Sequence, residues 1–178
     1  TLLGGFGTDR ADYTNSGGGV TVDLLNGTNT GGDATGDTLS SIEEVTGSAF
    51  DDILSGDGET NRLDGGAGND TLEGGDDADI LIGGADNDTA SYTASLSGVT
   101  VSLTTGTGTG GQANGDTLSG IENLTGSAQA DTLTGDAAAN VLTGGSGDDT
   151  LAGMAGADDL LGGDRDDRAH YTPSAPAV

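Results

Sequence analysis

Apolar residues in this chain recur about every nine positions: Leu54, Leu63, Leu72 and Leu81 are each separated from the next by a stretch rich in Gly, Asp and Asn. That rhythm suits a three-residue strand with its middle side chain turned inward, followed by a tight turn. A helix is a poor competitor, because interior glycines cost up to about 1 kcal/mol each and no apolar stripe of period 3.6 is present. Elsewhere Val20, Val22 and Leu24 alternate with polar residues, as a half-buried strand should. The pattern predicts an all-β chain of short strands and glycine-rich turns.

Two periods are nested. The segment VTVDLLNGTNTGG from Val20 returns as VTVSLTTGTGTGG from Val99, and the match continues without a gap at a period of about 79 residues. Tyr13, Tyr92 and Tyr171 fall in equivalent places, as do Ala11, Ala90 and Ala169. The divisions expected are the end of a preceding block over 1–19, a first full block over 20–98 and a second over 99–178. Both ends fall inside the pattern, and the chain reads as a segment of something longer. Within each block a nonapeptide repeats, over 47–91 and again over 126–170, with Asp or Asn always sixth and Leu or Ala always eighth. The segment GGFGTDRAD from Gly4 is one more copy.

Composition sharpens the picture. Of 178 residues, 36 are Gly and only 31% are hydrophobic, and the net charge is -26. Such a chain would ordinarily stay disordered, because too little apolar surface is available to offset chain entropy. Collagen is excluded by two prolines and the lack of a Gly triplet. Four basic against 30 acidic residues disfavour nucleic acid and anionic membranes and favour cations. No cysteine is available for thiolate metal sites or disulfides, and no apolar run reaches the length of a membrane span.

The nonapeptides GGAGNDTLE from Gly65 and GGSGDDTLA from Gly144 resemble the GGxGxDxUx repeat of RTX (repeats-in-toxin) proteins. The resemblance spans about two thirds of the chain. It implies a right-handed parallel β-roll or β-solenoid, two nonapeptides to a coil, with several Ca²⁺ ions bridging each turn to the next but one. Same-side turns would then lie eighteen residues apart at the strand spacing of about 4.8 Å. That arithmetic stacks Asp52, Asp70 and Asp88 on one side and Asn61 with Asp79 on the other. In the second block Asp131, Asp149 and Asp167 oppose Asn140 with Asp158. Unit charges at that spacing repel by about 1 kcal/mol in water and severalfold more in a lower dielectric. A hard cation held by paired carboxylates and by carbonyls of glycine-rich turns relieves the repulsion. The expected ligand set is Asp9, Asp52, Asp70, Asp79, Asp88, Asp131, Asp149, Asp158 and Asp167, with backbone at Gly66, Gly68, Gly84, Gly145, Gly147 and Gly156. Asp9 is expected to pair with a turn ahead of residue 1.

The repeat is uneven. Asn61 and Asn140 replace the sixth-place Asp, Asp77 and Asp86 replace a loop Gly, and Met154 replaces the second Gly. Glu43 and Glu122 fall where a sixth-place Asp would, and are read as solvated carboxylates on the flank. The Thr/Gly stretch 26–36 is read as a surface loop of a wider coil, with a small independent domain as the alternative. The tyrosines are read as packing at a coil boundary rather than a glycan-binding row. His170, the one histidine, has no catalytic partner in sequence, and a GxGxxG spelling at Gly106, Gly108 and Gly111 precedes no amphipathic helix. No EF-hand loop, Walker lysine or nucleophile elbow is spelled, so no enzyme is expected.

The function expected is an extracellular, calcium-folded structural region of a bacterial adhesin, S-layer, matrix fibre or filament, stacked end to end on adjoining repeats or on copies of itself. The alternative is an accessory region of a type I-secreted enzyme or toxin whose catalytic domain lies elsewhere. A carbohydrate-binding roll is less favoured, since four basic residues make a poor groove.

Overall fold

A computed structural model describes residues 1–27 and 29–170; Tyr171 and the end of the second block lie outside them. The described residues are all-β apart from two three-residue 3-10 turns, Gly32–Ala34 and Gly111–Ala113. Seven strands form one sheet, ten form another, and Leu2–Leu3 pairs with Leu39–Ser40 in a two-stranded strip. No closed barrel forms, and the parallel strands sit in sheets consistent with a β-roll.

The nine-residue rhythm produces this architecture directly. Each nonapeptide carries the chain from one sheet to the other, so alternate strands pair in parallel with a shift of eighteen residues, as Leu63 opposite Leu81 and Leu54 opposite Leu72 show. The eighth-place side chains consequently line up in rows. One row runs Val22, Leu54, Leu72, Ala90, Leu124, Leu142, Leu160. In the other sheet Ala11, Val45, Leu63, Leu81 and Leu118 form a row, and Val101, Leu133, Leu151 and Ala169 another. The rows meet in one core, with Leu54, Leu63, Leu72 and Leu81 fully buried. A chain with so little apolar content manages a core because its few apolar residues, mostly Leu with some Val and Ala, fall at the inward position of successive strands.

The wider coil is not an independent domain, and its variable stretch 26–36 holds no strand among its described residues and is mostly exposed, as a surface loop, whereas the second copy adds a strand there. Thr100–Ser102, Thr107–Thr109 and Thr117–Ser119 form an antiparallel meander within the ten-stranded sheet. In the first copy Thr30 bridges back to Thr21, and Asn29 and Ala34 are buried. Leu24 lies just past its strand and is only partly buried, whereas Val20 and Val22 point fully inward. Tyr13 and Tyr92 are buried, and their hydroxyls donate to Asp37 (3.2 Å) and Asp116 (3.0 Å), which makes them packing residues of the wide coil.

Residues that correspond in the long repeat lie in opposite sheets: Ala11, Val45 and Leu63 are in the ten-stranded sheet, and Ala90, Leu124 and Leu142 in the seven-stranded one. Between equivalent strands the chain changes sheets an odd number of times.

The inward and outward positions are separable by mutation. Leu54→Ala should lower stability by about 2–5 kcal/mol, whereas Ile53→Ala, one residue earlier and 50% exposed, should cost under about 1 kcal/mol. Denaturant unfolding at one fixed, saturating calcium concentration measures both, and equal losses would contradict the assigned register.

Candidate metal centre

Because strands eighteen residues apart are paired, the turns between them stack, and their sixth residues fall one above another. A single hydrogen bond repeats down each stack: the backbone N–H of one sixth residue donates to the side chain of the next on that edge. On one edge the Asp52 amide donates to Asp70 Oδ1 (2.8 Å) and the Asp70 amide to Asp88 Oδ1 (2.8 Å). On the opposite edge Asn61 donates to Asp79 (2.8 Å). In the second half Asp131 donates to Asp149 (2.8 Å), Asp149 to Asp167 (3.1 Å), and across the roll Asn140 to Asp158 (3.1 Å). The stacks deduced from the nine-residue spacing are therefore the stacks in the fold.

The turns are of two kinds, which the spelling of the repeat only hints at. In the first, the second and fourth residues have positive φ, as at Gly66 and Gly68 (106° and 115°) and at Gly145 and Gly147 (108° and 133°). Glycine is needed at Gly68 for a second reason, since an added Cβ would lie 2.5–2.8 Å from the backbone of Phe50 and Asp51. Gly84 and Gly156 share the conformation, and Asp77, Asp86 and Met154 adopt it too, at φ 65°, 82° and 73°. The substitutions at those three places thus leave the turn shape intact, at some strain for Met154, whose side chain suits positive φ least.

In the second kind the turn closes on itself. Ser48 N–H donates to Asp52 Oδ2 and its hydroxyl to Oδ1, at 2.5 and 2.9 Å, and Val20 N–H adds a third bond at 2.6 Å. Asp131 is held the same way by Ser127 and Val99. Asn61 and Asn140 each accept from the second residue of their own turn, Asp57 and Asp136.

The open turns leave an imbalance. Asp70, Asp79, Asp88 and Asp149 are at most 1% exposed, and in each Oδ2 has no hydrogen-bond partner. Asp70 Oδ2 and the Gly83 carbonyl oxygen of the next same-edge turn converge on the point that a Cβ of Gly65 would fill. Asp149 Oδ2 and the Gly162 carbonyl do the same over Gly144. A buried carboxylate oxygen with no donor, beside a carbonyl oxygen, is an unfavourable arrangement unless something positive lies there. The donor set is all oxygen, which suits a hard cation such as Ca²⁺ with its roughly six to eight oxygen ligands. Among the described residues no three acidic, His or Cys side chains gather at one point, so backbone carbonyls must complete any such site.

Burial is also the main reason these carboxyls lie above the usual carboxylate range. It pushes Asp70 and Asp79 up to about 7, with Asp52 and Asp88 adding repulsion at Asp70 and Asp116 at Asp79. Asp88 is raised to about 6 by burial and then by Glu122, and Asp149 is raised for the same kinds of reason.

Other residues join the stacks that sequence reasoning left out. Glu43 and Glu122 are not solvated flank residues: their carboxylates accept the amides of Asp9 and Asp88, both at 2.9 Å. Asp9, expected to pair with a turn ahead of residue 1, thus engages a later one. Asp116 extends another stack by accepting from Asp79 (2.9 Å) and is itself held by Tyr92. The intervals here are 34 and 37 residues, so a search at a period of eighteen passes over them. His170 is exposed.

Stacked parallel coils whose turns carry inward, partnerless carboxylates are consistent with a β-roll that binds cations. The model of the RTX calcium-binding nonapeptide repeat matches in four copies, at residues 32–72, 55–90, 116–151 and 134–169, and the chain belongs to that family. RTX nonapeptide repeats bind multiple Ca²⁺ ions and form structural rather than catalytic regions. No curated protein matches the chain. No helix among the described residues is long and apolar enough to cross a membrane.

A pH dependence follows. Carboxyls raised to about 6 and 7 bind protons more tightly folded than unfolded. In calcium-depleted buffer their contribution to stability is complete below about pH 4 and is lost as pH rises through 6 to 7. Far-UV circular dichroism in such buffer should show more β structure at pH 5 than at pH 8, and calcium at pH 8 should restore it. A roll that forms better at pH 8 without calcium would refute this assignment of charge.

Proposed function

We propose that the chain is an extracellular structural region in which Ca²⁺, bridging same-edge turns, drives folding of a rigid right-handed roll. The observation that carries this reading is the set of buried, partnerless Asp Oδ2 atoms, with a carbonyl of the next same-edge turn beside those of Asp70, Asp88 and Asp149. At pH 8 those charges oppose closure of the roll, and calcium converts the same oxygens into ligands. If each site had a dissociation constant near 0.1 mM, millimolar calcium would contribute about 1.4 kcal/mol per site. Several sites together would rival the stability of a small domain. Calcium would thus act as a folding ligand for a chain poor in apolar surface.

Within this reading Asp70, Asp79, Asp88 and Asp149 are the principal ligands, with carbonyls of the glycine turns at Gly66, Gly68, Gly84, Gly145, Gly147 and Gly156. Asp158 and Asp167 extend the same stacks. Asp52 and Asp131 contribute less, since Ser48 and Ser127 already satisfy them. The long repeat supplies the domain unit, 20–98 and 99–178. Low calcium inside a cell and millimolar calcium outside would let the chain leave unfolded through a type I secretion channel and fold on arrival. A rigid tandem roll of this kind suits a bacterial surface adhesin, S-layer, matrix fibre or filament, with end-to-end contact between repeats.

The test is a calcium titration followed by far-UV circular dichroism and light scattering, with magnesium as control. A cooperative gain of β structure at submillimolar to millimolar calcium is expected, and a rise in scattering would mark self-assembly. A spectrum indifferent to calcium would sink the folding role. Asp70→Asn should raise the calcium midpoint severalfold, and Asp52→Asn should move it much less.

A further inference from the structure

The wide coil interrupts the nonapeptide pattern, and the turn that leads out of it is short. Gly120, Ile121 and Glu122 join Thr117–Ser119 to Asn123–Thr125, and Ser41, Ile42 and Glu43 occupy the same place in the first copy. Neither turn spells the glycine-rich motif. Ile121 and Ile42 are buried and anchor each turn to the core.

Three features nonetheless reproduce the open nonapeptide turns. The Glu122 carboxylate accepts the Asp88 amide at 2.9 Å, as Asp88 Oδ1 accepts the Asp70 amide. Gly120 has φ 59° and Ser41 φ 54°, so both copies take the left-handed conformation although one of them is not glycine. That conformation accompanies the third feature: the Gly120 carbonyl oxygen converges with Asp88 Oδ2 over Gly83, and the Ser41 carbonyl with Asp9 Oδ2 over Gly4. Asp88 is 0% exposed, and Oδ2 of both Asp88 and Asp9 is buried without a hydrogen-bond partner. A Ser held at positive φ is strained, so its retention of the glycine conformation marks the carbonyl direction as the feature kept in both copies.

We propose that each short turn completes a calcium site of its own, with Asp88, Glu122 and the Gly120 carbonyl at one and Asp9, Glu43 and the Ser41 carbonyl at the other. Glu takes the place of the sixth-residue Asp, and its extra methylene spans the gap left by a turn of fewer residues. The bridging on the Asp52–Asp70–Asp88 edge therefore runs on through the wide coil instead of stopping at it. The inference rests on the calcium reading of the nonapeptide turns.

Long-wavelength anomalous diffraction from crystals of the full chain grown with calcium tests the site without any mutation. A peak among Asp88, Gly120 and Glu122 is expected. Peaks between nonapeptide turns with none at the short turns would overturn this inference and leave the family-type sites standing; no peak anywhere would overturn both. In solution, Glu122→Gln keeps an acceptor for the Asp88 amide while removing the charge. Equilibrium dialysis should find one calcium fewer per chain, or one bound severalfold more weakly, with no change in Glu59→Gln, an exposed control. Unchanged binding in Glu122→Gln would also refute the proposal.

Discussion

The hydrogen bond from the amide of one sixth residue to the carboxylate of the next on the same edge governs this molecule. It fixes the rise from coil to coil and brings the leucine rows into register, because a turn displaced by one residue would move every inward side chain out of the core. It also determines the electrostatics. One carboxylate oxygen is committed to the amide, and in the open turns the other is left buried among acceptors. Packing and charge are thus set in opposition by one contact: the closer the coils stack for the leucines, the more the acidic edges require a counterion.

Two turn conformations divide that requirement unequally. Where the second residue is Ser, as in Ser48 and Ser127, the turn supplies its own donors to the carboxylate, and where the sixth is Asn, its side-chain oxygen accepts from its own turn. Where the second and fourth residues take positive φ, the donors point elsewhere and the carboxylate oxygen stays open. Each wide coil is followed first by the self-satisfied kind, over 47–61 and 126–140, and then by the open kind. The second wide coil thus lies between open turns on its preceding side, at Asp79 and Asp88, and self-satisfied turns on the side that follows.

Most of the fold was legible in the sequence because the structure is itself a periodicity. A nine-residue repeat with one inward residue leaves little freedom beyond two strands per coil, and the stacks of Asp52, Asp70 and Asp88 or of Asp131, Asp149 and Asp167 follow from counting. What escaped was whatever does not repeat at that period. Glu43, Glu122 and Asp116 join the stacks only because the wide coil closes over a longer stretch of chain, and the Thr/Gly region reads as loop because threonine and glycine carry no inward signal, although in the second copy it contributes a strand. The split between Asp52 and Asp70 was likewise hidden, since it depends on where a neighbouring amide points and not on the identity of the carboxylate. The burial of Tyr13 and Tyr92 was readable from their place beside a strand, but their hydroxyl partners were not.

The change of sheet between equivalent residues gives the molecule an alternating exterior. The meander around Gly111–Ala113 emerges from the sheet opposite to the one that carries the strand before Gly32–Ala34. A flat, rigid binder that recognised this feature could engage one copy from a given side and would have to approach from the other side for the next. Two such binders on adjacent copies would not share a side, and a two-armed one would need to straddle the roll. The surface behaves as a staggered array of epitopes instead of a single row.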